Sequence, residues 1–198
     1  MSSVASRGER TRSEIIRAAY RLFEQQGYHG TSMRQIAEQA GIALGGIYNH
    51  FTGKEQIFEH VLETYHPYHE IVPILKNAQG ATVEAFVRNA AEGVVTVLDR
   101  RPDFLNLLLI EIVEFKSKHL PRLVERFFPE VMSIVGEFAE MKNLRPIPLA
   151  TIVRTFLGNF YAYYLVEKFI GEAFPAELRE HALEYSIDIF LHGIVSQE

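Results

Sequence analysis

The sequence predicts an all-α protein of about nine helices, and three observations predict it. Apolar residues recur three and four apart along most of the chain, as they do on one face of a helix. Helix start and stop chemistry brackets those stretches: Ser32 with Gln35 three residues on, Thr52 with Glu55, glycine at 27 and 41, and prolines at 102, 121 and 175. No stretch has the two-residue alternation of a convincing strand, and the chain holds no internal repeat or low-complexity tract.

Taken in order, Met1 to Arg7 is expected to be a mobile tail, with Arg7, Arg10 and Arg12 either solvated or touching DNA phosphates or a minor groove. From Gly8 to Gln26, Ile15, Ile16, Ala19, Leu22 and Phe23 line one helical face, and Gly27 stops the helix. Between Thr31 and Lys54 the pattern gives two short helices joined by a tight turn. Ser32 and Gln35 form a capping box, Ile36, Ala37 and Ala40 share a face, and Gly41 supplies the turn. The second helix, about Leu44 to His50, is too short to stand alone and is anchored by Ile47 and Phe51. A helix held this way is how a helix-turn-helix offers a recognition helix to the major groove.

A helix from Gly53, opened by a second capping box of Thr52 and Glu55, runs to about Tyr65 with Ile57, Phe58, Val61 and Leu62 inward. It is expected to join head to body, its tilt setting the recognition helix. His66 to Gly80, with Pro67 and Pro73, reads as a loop or broken helix. Helices follow over Ala81–Asp99, Asp103–Lys118, Pro121 toward Met141 with a kink at Pro129, Leu149–Gly171 after the Arg145–Pro148 linker, and Pro175 to near Val195. Asp103–Lys118 is apolar on nearly every side and is expected to be central and buried.

The block Thr11-Arg12, Ile16, Ala18-Ala19, Leu22-Phe23, Gly27-Tyr28, Thr31-Ser32-Met33, Ile36-Ala37, Ala40-Gly41, Gly46, Ile47-Tyr48, His50-Phe51, Lys54-Glu55 and Phe58 closely resembles the tetracycline-repressor (TetR) family of bacterial transcriptional regulators. The likeness covers about a quarter of the chain; beyond about Thr64 it is architectural. It implies a three-helix DNA-binding head over 1–53 and a larger helical ligand-binding and dimerisation body over 54–198. It also implies that Tyr48, His50 and Lys54 bind backbone phosphates, and that the last two helices form a four-helix dimer bundle with a second copy.

Composition bounds the same reading. The 198 residues carry a net charge of −5, but up to Lys54 seven Lys and Arg face four Glu, a net of +3, which leaves −8 for the rest. A basic head on an acidic body suits a DNA reader. With 47% hydrophobic residues the chain can bury a substantial core. The absence of cysteine excludes disulfides, thiolate catalysis and cysteine-bound zinc. No apolar run approaches the ~18 residues of a membrane span, and a cytoplasmic protein with no membrane contact is expected. No phosphate-binding glycine motif, nucleophile elbow or zinc-protease motif is present, so no catalytic residue or cofactor is assigned and an enzyme is not expected.

For DNA, the candidate contacts are Thr31, Ser32, Arg34, Ala43, Leu44, Gly45, Tyr48, Asn49, His50 and Lys54. Thr31 and Ser32 sit at a helix N-terminus, where amides favour phosphate. Asn49 has the groups that suit adenine, and Leu44 can meet a thymine methyl. Tyr48 has packing as its alternative, His50 capping, and Gly46 is read as structural. For a small, largely apolar effector, the candidates are Asn106, Glu111, Glu114, Phe115, Phe128, Phe156, Asn159, Phe160 and Tyr163; the alternative is that the polar ones pair with Arg100, Arg101, Arg154 or a neighbour. For the homodimer, the candidates are Gly158, Ala162, Leu165, Phe169, Ala182, Tyr185, Ser186 and Ile189. A metal sensor built on His60, Glu63, His66 and His69 is the rival reading, although Pro67 interrupts that spacing; no metal ligand is assigned.

Overall fold

Helix α1, Arg7–Gly30, is bent at Gly27, whose φ of 72° lies in the left-handed region that glycine adopts without strain. The structure, a computed structural model, describes residues 7–78, 82–139 and 144–194. The tail up to residue 6, the Gly80 loop and the expected helix ends at Met141 and Val195 lie outside them. After α1 come α2 (Met33–Gln39), α3 (Leu44–Ile47), α4 (Lys54–Tyr65), α5 (Tyr68–Asn77), α6 (Val83–Arg100), α7 (Pro102–Phe115), α8 (Leu120–Ala139), α9 (Leu149–Ile170), a 3-10 turn at Gly171–Ala173, α10 (Ala176–Arg179) and α11 (Ala182–Ile194). No strand is present among the described residues, and none of their helices is long and apolar enough to cross a membrane.

Two compact units emerge: Met1–His66 with Pro102–Leu123, and Pro67–Arg101 with Val124–Glu198. In the first, α1 packs on α2, α4 and α7. Ile15, Ala19, Ile36, Ile47, Ile57, Phe58 and Val61 are fully buried there. Phe23, Phe58, Phe115 and Tyr28 meet ring to ring at 4.8–5.8 Å between centroids. In the second, α6, α9 and α11 pack on one another and α5 lies on α6. Their core holds Phe86, Val87, Ala91, Phe160, Ile187 and Phe190.

Several sequence expectations are refined or change. Of the loop and the broken helix read for His66–Gly80, the chain has the broken helix: after the break at His66 and Pro67, Tyr68–Asn77 is helical through Pro73, where burial of Val72 and Leu75 offsets the one amide bond that proline removes. Thr52 does not pair with Glu55; its amide and hydroxyl both donate to Gln56 Oε1, at 2.7 and 3.2 Å, because Lys118 takes Glu55 at 2.6 Å. Helix α7 ends at Phe115 rather than Lys118, since Lys116 and Ser117 are left-handed (φ 52° and 63°) and turn the chain back so that Ser117 N donates to Glu111 O. Nor is α7 buried all round: Leu109, Ile112 and Val113 are exposed, because only the side carrying Phe104, Leu107 and Glu111 is packed. The last helix is split, α10 starting after Pro175 and α11 starting again at Ala182. Helix α8 continues through Pro129. Arg145, expected to be linker, is pinned: its amide donates to Ile194 O at 2.9 Å and its guanidinium to Gly193 O at 2.7 Å.

Candidate nucleic-acid interface

The Ser32–Gln35 capping box is present as expected. Ser32 N donates to Gln35 Oε1 at 2.8 Å, and Gln35 N donates to Ser32 Oγ at 3.2 Å, which satisfies orphan amides at the start of α2. Gly41, at φ 69°, makes the turn, closed by Ile42 N donating to Ala37 O at 3.0 Å. Helix α3 is only four residues long, shorter than the expected Leu44–His50. Its chain continues as a tight turn in which His50 N and Phe51 N both donate to Ile47 O at 3.0 Å. So short a helix has no stability of its own. Ile47 and Phe51, 0% and 1% exposed, hold it on the core.

This anchoring leaves Ala43, Leu44, Gly45, Tyr48 and Asn49 exposed together, with His50 half-buried at the end of the turn. Leu44 and Tyr48 are 43% and 53% exposed and lie side by side with Asn49 on the open face of the turn. A methyl group added at Gly45 or at Gly46 would meet nothing within 4 Å. Gly46 is therefore not required by packing, contrary to the structural role expected of it; both glycines leave backbone that a ligand can approach closely.

The other expected contacts divide. Arg34 is exposed, and its Nε donates to Glu38 Oε1 at 2.8 Å; that bond and the carboxylate's charge hold its pKa above the usual value. Ser32 is exposed but committed to its cap. Thr31 is 2% exposed, and its hydroxyl donates to Gly27 O at 2.8 Å, so its side chain braces the end of α1. Lys54 Nζ donates to Tyr28 O and Thr31 O, each at 2.6 Å, and lies 4.2 Å over the Tyr28 ring. Burial there lowers its pKa against the raising effect of Glu114. Two of its three N–H groups are thus used inside the protein, and one remains.

Arg12 departs furthest from expectation. Rather than reaching outward, its Nη1 donates to His50 O at 2.8 Å, its Nη2 meets His60 Nε2 at 2.7 Å, and its guanidinium carbon sits 4.2 Å from the Phe51 ring centre. No local sequence signal marks this contact, since its partners lie 38 and 48 residues away.

The candidate effector residues fall in different units. Asn106 is exposed. Glu111 is 0% exposed and accepts from His119 N at 2.7 Å, with His119 Nδ1 at 2.8 Å, so the partner is His119 and none of the arginines expected. Glu114 pairs with His29 Nε2 at 2.5 Å, and Phe115 stacks on Phe58. In the other unit Phe156, Phe160 and Phe190 pack ring against ring, Phe160 fully buried. Phe128 lies half-buried against that core. Asn159 Nδ2 donates to Ser186 O at 3.4 Å. Tyr163 lines an open cleft of about 560 Å³ with Val95, Asp99, Glu167, Lys168 and Phe169, and burial raises its pKa.

Of the candidate dimer residues, Gly158 and Ala162 are exposed, Phe169, Tyr185 and Ile189 are 60%, 62% and 73% exposed, and Leu165, Ala182 and Ser186 are half-buried. Among the described residues no group of three His, Asp or Glu side chains is placed to hold a metal ion. His60 is engaged by Arg12, with Glu63 3.5 Å from its other nitrogen. His66 packs edge-on against Phe104, and His69 lies against Tyr68.

Comparison with known proteins agrees with this geometry. Residues 15–61 match the family of bacterial regulatory proteins, tetR family. The uncharacterized HTH-type transcriptional regulator YfiR of Bacillus subtilis (strain 168) is 24% identical over 157 residues, 76% of each chain. The HTH-type transcriptional repressor KstR2 of Rhodococcus jostii (strain RHA1) is 34% identical over 88 residues, 42% of this chain and 43% of that one. A solved structure assigned to the TetR family, from Mesorhizobium loti, superposes with a TM-score of 0.72 at 23% identity, over 97% of this chain and all of the other. The exposed turn, the core that carries it and these relatives lead to one conclusion: over residues 15–61 the chain carries the DNA-binding region of the tetR family of bacterial regulatory proteins, and it is a DNA-binding transcriptional regulator.

Proposed function

We propose that the protein is a cytoplasmic, homodimeric repressor that leaves its operator when a small, largely apolar effector binds the body. The observation that carries the DNA half is the exposed group Leu44, Tyr48 and Asn49 on a four-residue helix fixed by Ile47 and Phe51. One such helix buries too little surface to discriminate well. Two heads on a two-fold axis, about 34–36 Å apart, correct this. The apolar face of α9 and α11, with Phe169, Tyr185 and Ile189 open, supports pairing with a second copy. KstR2, a repressor by name, supports the direction of control. The aromatic-rich second unit and the cleft at Tyr163 support an effector site there. To act, the effector must favour one of two arrangements of the heads.

The test is titration of the duplex flanking the protein's own gene, read by fluorescence anisotropy. Tyr48→Phe is expected to weaken binding on every sequence. Asn49→Ala is expected to relax preference at one base pair of the bound site. Unchanged preference with Asn49→Ala removes that residue from base reading, and no retardation of any flanking fragment by the wild-type protein removes the function.

A further inference from the structure

Arg12 lies on the head's first helix, yet its guanidinium touches the two segments that follow the recognition helix: the turn at His50 and Phe51, and the middle of α4 at His60. The carbonyls just beyond a short helix lack intrahelical partners. Here the His50 carbonyl gets one from α1. A planar guanidinium presents two N–H groups in a fixed fork while its face stacks on an aromatic ring; an ammonium cannot do both. Arg12 has no acceptor atom, so the short Nη2–Nε2 contact requires a lone pair on His60 Nε2, with the ring proton on Nδ1 toward Glu63.

We propose that Arg12 is a positioning residue for DNA reading: it bridges the His50 carbonyl and the His60 imidazole, fixes the end of the recognition turn, and makes no phosphate contact itself. The inference rests on the DNA-binding function proposed above.

The bridge has a dependence on pH. The groups facing His60 are Arg12 from α1, Glu59 and Glu63 from α4, and Arg122 from α8. Burial, then Arg12, lowers the His60 pKa below 6.5, and the two carboxylates oppose less strongly. Above that pKa the ring is neutral and accepts from Arg12. As pH falls through it, the ring gains a proton, loses its acceptor and faces a like charge. The bridge therefore weakens on the acid side of 6.5 and is intact at neutral pH.

The experiment measures operator affinity, its salt dependence and its pH profile for the full-length wild type, Arg12→Lys, Arg12→Gln and His60→Gln. Thermal unfolding of each variant is followed alongside. Arg12→Lys keeps the charge and loses the fork, and is expected to weaken binding at least about tenfold. Arg12→Gln is expected to weaken binding with the salt slope unchanged, since no phosphate contact is lost. His60→Gln, whose amide oxygen accepts at every pH, is expected to abolish the loss of affinity expected of the wild type on the acid side of pH 6.5. If Arg12→Lys binds as tightly as wild type, or Arg12→Gln flattens the salt slope by about one phosphate's worth, Arg12 is an ordinary phosphate contact and the proposal fails. Should Arg12→Gln not fold, Arg12→Lys and the His60→Gln profile still decide. A wild type that binds no duplex takes down the DNA-binding function as well; a wild type that binds while Arg12→Lys is silent overturns this inference alone.

Discussion

At the scale of single residues, the first unit is held by polar groups whose partners are not neighbours in sequence. Glu111 sits fully buried on an apolar helix and is made tolerable by two donors from one residue, His119. Removing the imidazole leaves the backbone amide as its one described donor, and a buried charge deprived of its partner is costly. His119→Ala is therefore expected to destabilise the protein by about 3–5 kcal/mol, measured by denaturant unfolding; a loss below about 1 kcal/mol, within reach of an ordinary exposed pair, contradicts this account of Glu111. Lys54 makes a second case. The resemblance assigns it to phosphate, and the structure shows it bound to Tyr28 O and Thr31 O. Lys54→Ala should then lower stability by about 1–3 kcal/mol as well as weakening DNA binding; an unchanged melting curve would return it to a pure phosphate role. Neither contact is legible in the sequence. Each joins residues brought near only by packing, Lys54 to Tyr28 across 26 positions.

At the scale of elements, the recognition helix depends on its anchors. Four residues cannot nucleate a helix in water, so α3 exists because Ile47 and Phe51 are buried beneath it. Ile47→Ala removes most of one anchor and is expected to cost about 2–5 kcal/mol, with operator affinity falling further than stability alone explains. Equal affinity in the folded fraction would show that the helix does not need this anchor. The elements legible in sequence were those whose determinants are local: the Ser32–Gln35 box, the glycine turns at 27 and 41, and the 3- and 4-residue periodicity of α1, α4 and α6. Those misread or left open were decided at a distance. Lys118 takes Glu55 away from the second box. Burial of Val72 and Leu75 carries α5 through Pro73. Helix α7 looked central because composition records how apolar it is and not which side is covered; Val113 is 69% exposed.

At the scale of the molecule, charge divides unevenly along the sequence, +3 up to Lys54 and −8 beyond it, which suits the proposed DNA contact at the basic end. The proposed second copy would cover the apolar side chains left open along α9 and α11. Ile189→Glu, placed on the most exposed of them, is expected to yield monomers by light scattering with secondary structure intact. A variant that remains dimeric moves the interface elsewhere. Monomers should also lose most operator affinity, because each head alone reads too little DNA.

The most direct test of the whole account is the stoichiometry and salt dependence of the wild-type protein on the duplex flanking its own gene. The expected result is two chains per site, bound with an affinity that falls steeply as salt rises. A single chain per duplex, or no binding at low ionic strength, would contradict it.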